Sequence, residues 1–146
     1  MLGMMSNLLA IVIATVFVIL ALVHAYWAFG GRIPWPAVVP EVRGRPAFTP
    51  SALATFVVAV ALFACAGLIT ATAGILALPV SPSFLTWLAF ALALVLLLRA
   101  VGDFSLVGFF KRVRGTTFAR LDTVIYSPLC LALSLGVFIV ALSHHA

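Results

Sequence analysis

The chain has 146 residues, of which 66% are apolar and 8% charged, with a net charge of +5. Soluble domains average about half apolar and about a quarter charged, so this composition excludes an ordinary water-soluble domain. Nucleic-acid binding is also a poor reading of the basic excess: every formal charge falls within residues 32–45 or 99–122, beside long apolar runs where lipid is the nearest partner.

A helix needs roughly 20 mostly apolar residues to cross a bilayer. Residues 7–28 supply the first span. The residues before it hold no Lys or Arg and the apolar run is long, which reads as an uncleaved first helix rather than a signal peptide. Arg32, Glu41, Arg43 and Arg45 make up the first charged segment. Residues 46–98 are uncharged and too long for a single span. The run Leu78-Pro79-Val80-Ser81-Pro82-Ser83 divides them into a second span over 51–76 and a third over 84–98. In the second span Ala64, Gly67, Ala71 and Gly74 recur at helical spacing, a small-residue stripe suited to close packing. The third is bulky and rich in leucine.

Arg99, Asp103, Lys111, Arg112, Arg114, Arg120 and Asp122 make up the second charged segment, and residues 123–143 the fourth span. Pro128 has two readings: it follows a Ser127 cap in the first helical turn, or it kinks a helix already begun near Asp122. Four spans put both charged segments on one side, and the positive-inside rule makes that side the cytoplasm. The expected fold is all-α: an integral membrane four-helix bundle, residues 1–146 as one domain, with both termini outside and two basic cytoplasmic loops. The two helical hairpins share one orientation without a residue-by-residue repeat.

The polar candidates gather at the cytoplasmic ends of the spans. Tyr26 and Trp27 suit the headgroup level as an interfacial belt. His24 lies about a turn deeper and needs a partner there. If the third helix continues, Arg99 and Asp103 stand four apart and pair. That pair either secures the helix end or holds an anionic headgroup. Phe109 and Phe110 can dip into the acyl region while Lys111, Arg112 and Arg114 meet phosphates. Asp122 suits a helix N-cap, with Tyr126 four residues on.

Cys65 and Cys130 lie at different depths, which argues against a disulfide. His144 and His145 lie at the opposite end from His24 and read as solvated. No spacing of His, Cys and carboxylates suggests a metal site, and no phosphate-binding glycine loop or nucleophile elbow is present. The cofactor, if any, is left undetermined.

The stretch Arg99-Ala-Val-Gly-Asp-Phe-Ser-Leu-Val-Gly-Phe-Phe-Lys111, followed by Thr117-Phe-Ala-Arg-Leu-Asp-Thr-Val-Ile-Tyr-Ser-Pro-Leu-Cys130, resembles a bacterial membrane family known as domain of unknown function family 3995. His24, Trp27 and Gly30-Gly31 fit its first-helix pattern. The resemblance implies a four-span protein of the bacterial inner membrane and supplies no activity. A likeness in size and topology to small four-span glutathione-linked enzymes stops short of their Arg/His/Asn/Glu motif, which is absent here.

The leading expectation is a protein that binds an anionic lipid or amphiphile at its cytoplasmic face. Trp27, Arg99, Lys111 and Arg112 would contact the ligand, and His24, Asp103 and Tyr126 would order the site. One alternative is an enzyme acting on a lipid or isoprenoid, with His24 or Asp103 as acid or base, Tyr126 as a donor and the Arg residues holding phosphate or carboxylate. Another is an accessory subunit of a membrane complex. Expected partners are membrane lipids, anionic ones first, with a second copy or another membrane protein as the alternative.

Overall fold

A computed structural model describes residues 2–32 and 34–144; His145 lies outside the described residues. Among the described residues, four helices are long and apolar enough to cross a membrane: Gly3–Ala28, Ala52–Thr72, Pro82–Val101 and Thr117–Ser143. The fold is an all-α bundle of these four, as the apolar runs predict. A chain in lipid must satisfy its backbone internally, and unbroken helices do that.

Helix α1 (Leu2–Ala28) leads through a single turn, α2 (Trp35–Val38), into a short hairpin. There β1 (Glu41–Val42) pairs antiparallel with β2 (Arg45–Pro46), Glu41 opposite Pro46. Arg43 and Gly44 turn the hairpin with φ of 53° and 74°, the paired left-handed conformations of a tight β-turn. Ser51 caps α3 (Ala52–Thr72), its Oγ accepting the Ala54 N–H at 3.1 Å. Ser81 caps α4 (Pro82–Val101) in the same way, with Pro82 in the first turn. α4 is longer at both ends than the predicted third span, and α3 ends earlier than the predicted second span.

The last helix begins at Thr117, not at the expected residue 123. Thr116 Oγ1 accepts the Ala119 N–H at 3.0 Å and so takes the capping role predicted for Asp122. α5 (Thr117–Leu121) passes through a π-turn (Asp122–Tyr126) into α6 (Ser127–Ser143). Ser127 is therefore helical, with φ −69° and ψ −43°, and caps nothing. Its N–H reaches back five residues to the Asp122 carbonyl. Proline brings no N–H and crowds the carbonyl four residues before it. The widened turn lies immediately ahead of Pro128, where the ordinary helical bonding must be interrupted.

α1 packs along α3, and α4 along α6; the two hairpins then join through α1 against α6 and α3 against α4. Phe17, Ile69, Val137 and Val140 fill the centre, with Ala10, Ala66, Ala89, Ala93 and Ala141 letting the helices approach. At Gly136 an added Cβ would lie 2.6 Å from Ile13 Cδ1, so α6 meets the Ile13 side chain of α1 closely there and a larger residue would have to push it aside. The predicted small-residue stripe is not the packed row. Ala71 is buried, but Ala64 and Gly74 are exposed and Gly67 has nothing within 4 Å of an added Cβ. Ala59, Ala66 and Ala73, seven apart, are all buried and make a more continuous row.

Contacts at the two ends define how the connections sit. The Tyr126 hydroxyl donates to the Ala37 carbonyl at 3.0 Å, so the two basic segments meet at one end. Ser6 Oγ lies 3.3 Å from His144 Nε2 at the other.

Candidate functional site

The largest concentration of polar chemistry is built around Asp122, whose side chain is fully buried. Its Oδ1 accepts from Arg99 Nη2 at 2.8 Å. Its Oδ2 accepts from Lys111 Nζ at 3.0 Å and from the Gly108 N–H at 2.7 Å. Lys111 is only 3% exposed. Its ammonium also donates to the Gly108 carbonyl at 2.9 Å and to Thr123 Oγ1 at 2.6 Å, which uses all three of its protons. Thr123 passes its own proton to the Ala119 carbonyl. The cluster ties the end of α4, the loop after it and the start of the last helix to one carboxylate.

Arg99 therefore does not pair with Asp103. The predicted pairing needed α4 to continue, and it stops at Val101, with Gly102 at φ 96°. Asp103 instead organises the loop it opens. One carboxylate oxygen accepts the N–H groups of Ser105, Leu106 and Val107 at 2.9, 2.7 and 3.0 Å. The loop folds back on α4, where the N–H groups of Phe109 and Phe110 reach the otherwise open carbonyls of Ala100 and Val101.

Lys111 is likewise not a free headgroup contact, because Asp122 holds it inside. Arg112 is exposed, and its backbone N–H donates to the Ser105 carbonyl. Beside it, a pocket of ≈ 300 Å³ opens between the loop and the last helix. Arg114 and Arg120 stand on its rim, Phe109 and Val124 form apolar wall, and the buried Lys111 and the exposed Thr123 complete the lining. Neither Arg114 nor Arg120 makes an ion pair among the described residues. Sequence reading had missed Arg120, which has a local signal: it lies one helical turn before Thr123–Val124, on the same wall.

A second cavity, ≈ 580 Å³, lies between the end of α1, the first basic segment and the start of α3. His24, Trp27, Val39, Phe48, Thr55 and Val58 are among the residues lining it. His24 Nδ1 is 2.7 Å from the Leu20 carbonyl, and its ring meets Trp27 edge-on at 5.2 Å. Neither Asp103 nor Tyr126 joins His24 there. The Tyr126 hydroxyl is spent on Ala37 and the Asp103 carboxylate on its own loop. The three side chains expected to share acid–base work thus stand in three different settings.

A family model matches residues 17–137, most of the chain and nearly all of this architecture. The chain belongs to the family described as protein of unknown function (DUF3995). No curated protein and no solved structure matches it. The DUF3995 match takes in His24, both charged segments and the π-turn, so each feature above lies inside the family's own span.

The Asp103 loop gives this DUF3995 protein an acid-sensitive element. The hydrogen bond from Val107, with those from Ser105 and Leu106, holds the Asp103 carboxyl below the usual carboxylate range. A depressed carboxylate contributes stability that is present above the ordinary value and is lost as pH falls through the lowered one. Asp103→Asn should flatten the acid side of the curve of thermal midpoint against pH. An unchanged acid limb would remove Asp103 from that role.

Proposed function

We propose that this protein binds an anionic amphiphile at the end of the bundle where its basic segments lie, on the cytoplasmic side of a bacterial inner membrane. The observation that supports this reading is the pocket rimmed by Arg114 and Arg120. Among the described residues neither guanidinium has an ion-pair partner, and the Asp122 carboxylate is already engaged by Arg99, Lys111 and Gly108. A phosphate at the rim meets two planar, permanently charged donors. Phe109, Val124 and the exposed Phe110 offer apolar surface to the start of an acyl chain. Arg99 and Lys111 act one layer further in, holding the wall that presents the two arginines.

The sidedness rests on the distribution of charge, with both basic segments at one end and no Lys or Arg at the other. Native mass spectrometry of the purified protein titrated with phosphatidic acid tests the site. Each basic residue near an anionic surface contributes about 1 kcal/mol. The variant Arg114→Gln/Arg120→Gln should therefore bind phosphatidic acid roughly thirtyfold more weakly. Arg43→Gln/Arg45→Gln, on the β-hairpin, should change retention little. Equal retention by both variants would place the headgroup elsewhere.

A further inference from the structure

The cavity beneath the first basic segment has a chemistry different from the arginine pocket. No residue lining it carries a formal charge. Its walls are largely apolar, from Trp27, Val39, Phe48 and Val58. Among its polar groups, His24 is fixed in a way that decides what it offers. The Leu20 carbonyl can only accept a hydrogen bond, so Nδ1, 2.7 Å away, carries the proton. Nε2 of the neutral ring is then a bare acceptor, and it makes no hydrogen bond to any described residue.

We propose that this cavity binds an uncharged apolar molecule with one hydrogen-bond-donating hydroxyl, an aliphatic or isoprenoid alcohol by class, whose O–H donates to His24 Nε2. The size suits such a ligand, since small-molecule pockets commonly measure about 300–1,000 Å³. Its polarity suits it too: a few neutral polar groups, His24 among them, in a largely apolar wall give direction without demanding a charge. A carboxylate or phosphate would bring its own lone pairs against Nε2 and lose water with no cation in the lining to replace it. His24 lies four residues before the end of α1 at Ala28. At about 1.5 Å per residue that is roughly 6 Å inside the helix end, a depth an alcohol reaches from the bilayer more readily than an ion does. This site is independent of the arginine pocket, which belongs to the other hairpin.

The test uses the full chain in zwitterionic lipid nanodiscs under mildly alkaline conditions. Three photoreactive probes share one alkyl chain: an alkanol, its methyl ether and the matching carboxylate. Mass spectrometry locates and quantifies the labelling. The alkanol should label the segments carrying Val39, Phe48 and Val58 saturably, and the ether should need about tenfold more for the same labelling. The carboxylate should do no better than the ether. His24→Phe keeps a ring and removes the acceptor, so alkanol labelling should fall to the ether's level. His24→Gln, which retains an acceptor, should restore part of it. Val58→Trp should reduce labelling by all three probes, and Arg114→Gln/Arg120→Gln by none. If His24→Phe does not fold, the alkanol–ether comparison on the native chain still decides. Equal labelling by alkanol and ether overturns the proposal, as does a preference for the carboxylate or labelling confined to lipid-facing helix surfaces.

Discussion

Asp122→Asn should destabilise the protein by about 3–5 kcal/mol, the usual cost of removing one partner from a buried ion pair. Lys111 and Arg99 both point at this carboxylate, and Lys111 is 2% exposed in its side chain. Asparagine keeps one oxygen and replaces the other with a donor. Whichever way the amide turns, its NH₂ faces either the Arg99 guanidinium or the Lys111 ammonium and Gly108 N–H. A lysine left charged and unpaired in that setting is the expensive species. The thermal midpoint of the detergent-purified variant should drop sharply, with loss of the monodisperse species on size exclusion.

The same reasoning predicts which second change helps. Lys111→Met with Asp122→Leu removes the buried charges together, and replacing a whole buried pair by packed apolar groups is often near neutral. Arg99 is one-third exposed in its side chain and can swing its head toward water. The double variant should therefore recover a large part of what Asp122→Leu loses alone. A midpoint for Asp122→Asn close to that of the native chain, or a double variant no better than the single, would show that the cluster does not hold this end of the bundle.

The division between what was legible in the chain and what was not follows the range of the forces involved. Long apolar runs are visible locally, because lipid requires each segment to close its own backbone hydrogen bonds. The four helices followed from that, as did the grouping of charge between them. Helix ends are also local, and here one signal was misjudged. Gly102 follows Arg99 by three residues, the pattern of a glycine just beyond a basic last turn, which ends a helix. Pairing Arg99 with Asp103 four residues on ignored that glycine. The true partner, Asp122, is 23 residues away and no spacing rule reaches it.

Burial of Lys111 was hidden for a related reason. Beside Phe109, Phe110 and Arg112 it reads as one more interfacial cation, and only the fold-back of the loop onto α4 takes it inside. The stripe of small residues on α3 shows a different ambiguity. A helix with many small residues offers several rows at spacings of three, four and seven, and which row is used depends on where α1 and α4 lie. Ala59, Ala66 and Ala73 were as available in the sequence as Ala64, Gly67 and Ala71. His24 reads in the sequence as a histidine about a turn below the interface and in need of a partner, and it is half-buried. That the partner is its own helix carbonyl, and that the residue lines a cavity, required coordinates.

The loop that seats Lys111 depends on two glycines, and Gly102→Ala should be as damaging as Asp122→Asn, costing more than about 3 kcal/mol. Gly102 has φ 96° and ψ −177°, a region essentially restricted to glycine, where another residue is strained by about 1–3 kcal/mol. An added Cβ there would also strike the Val107 backbone and Gly108 Cα. Gly108, at φ 88°, presses back against Gly102 and the Val101 carbonyl. These neighbours are main-chain atoms, which cannot rotate aside as a side-chain tip does. The loop would have to open. Opening it breaks the Gly108 N–H bond to Asp122 and the Phe109 N–H bond to the Ala100 carbonyl, so the ion cluster fails with it. Gly115 supplies the control. It has φ 88° but nothing within 4 Å of an added Cβ, so Gly115→Ala should cost only the local strain, about 1–2 kcal/mol. Thermal midpoints of Gly102→Ala, Gly108→Ala and Gly115→Ala, measured side by side in one detergent, should separate the first two from the third. If all three fall together, the contact between Gly102 and Gly108 contributes nothing beyond their backbone angles, and the loop is not the clamp that carries Gly108 to Asp122.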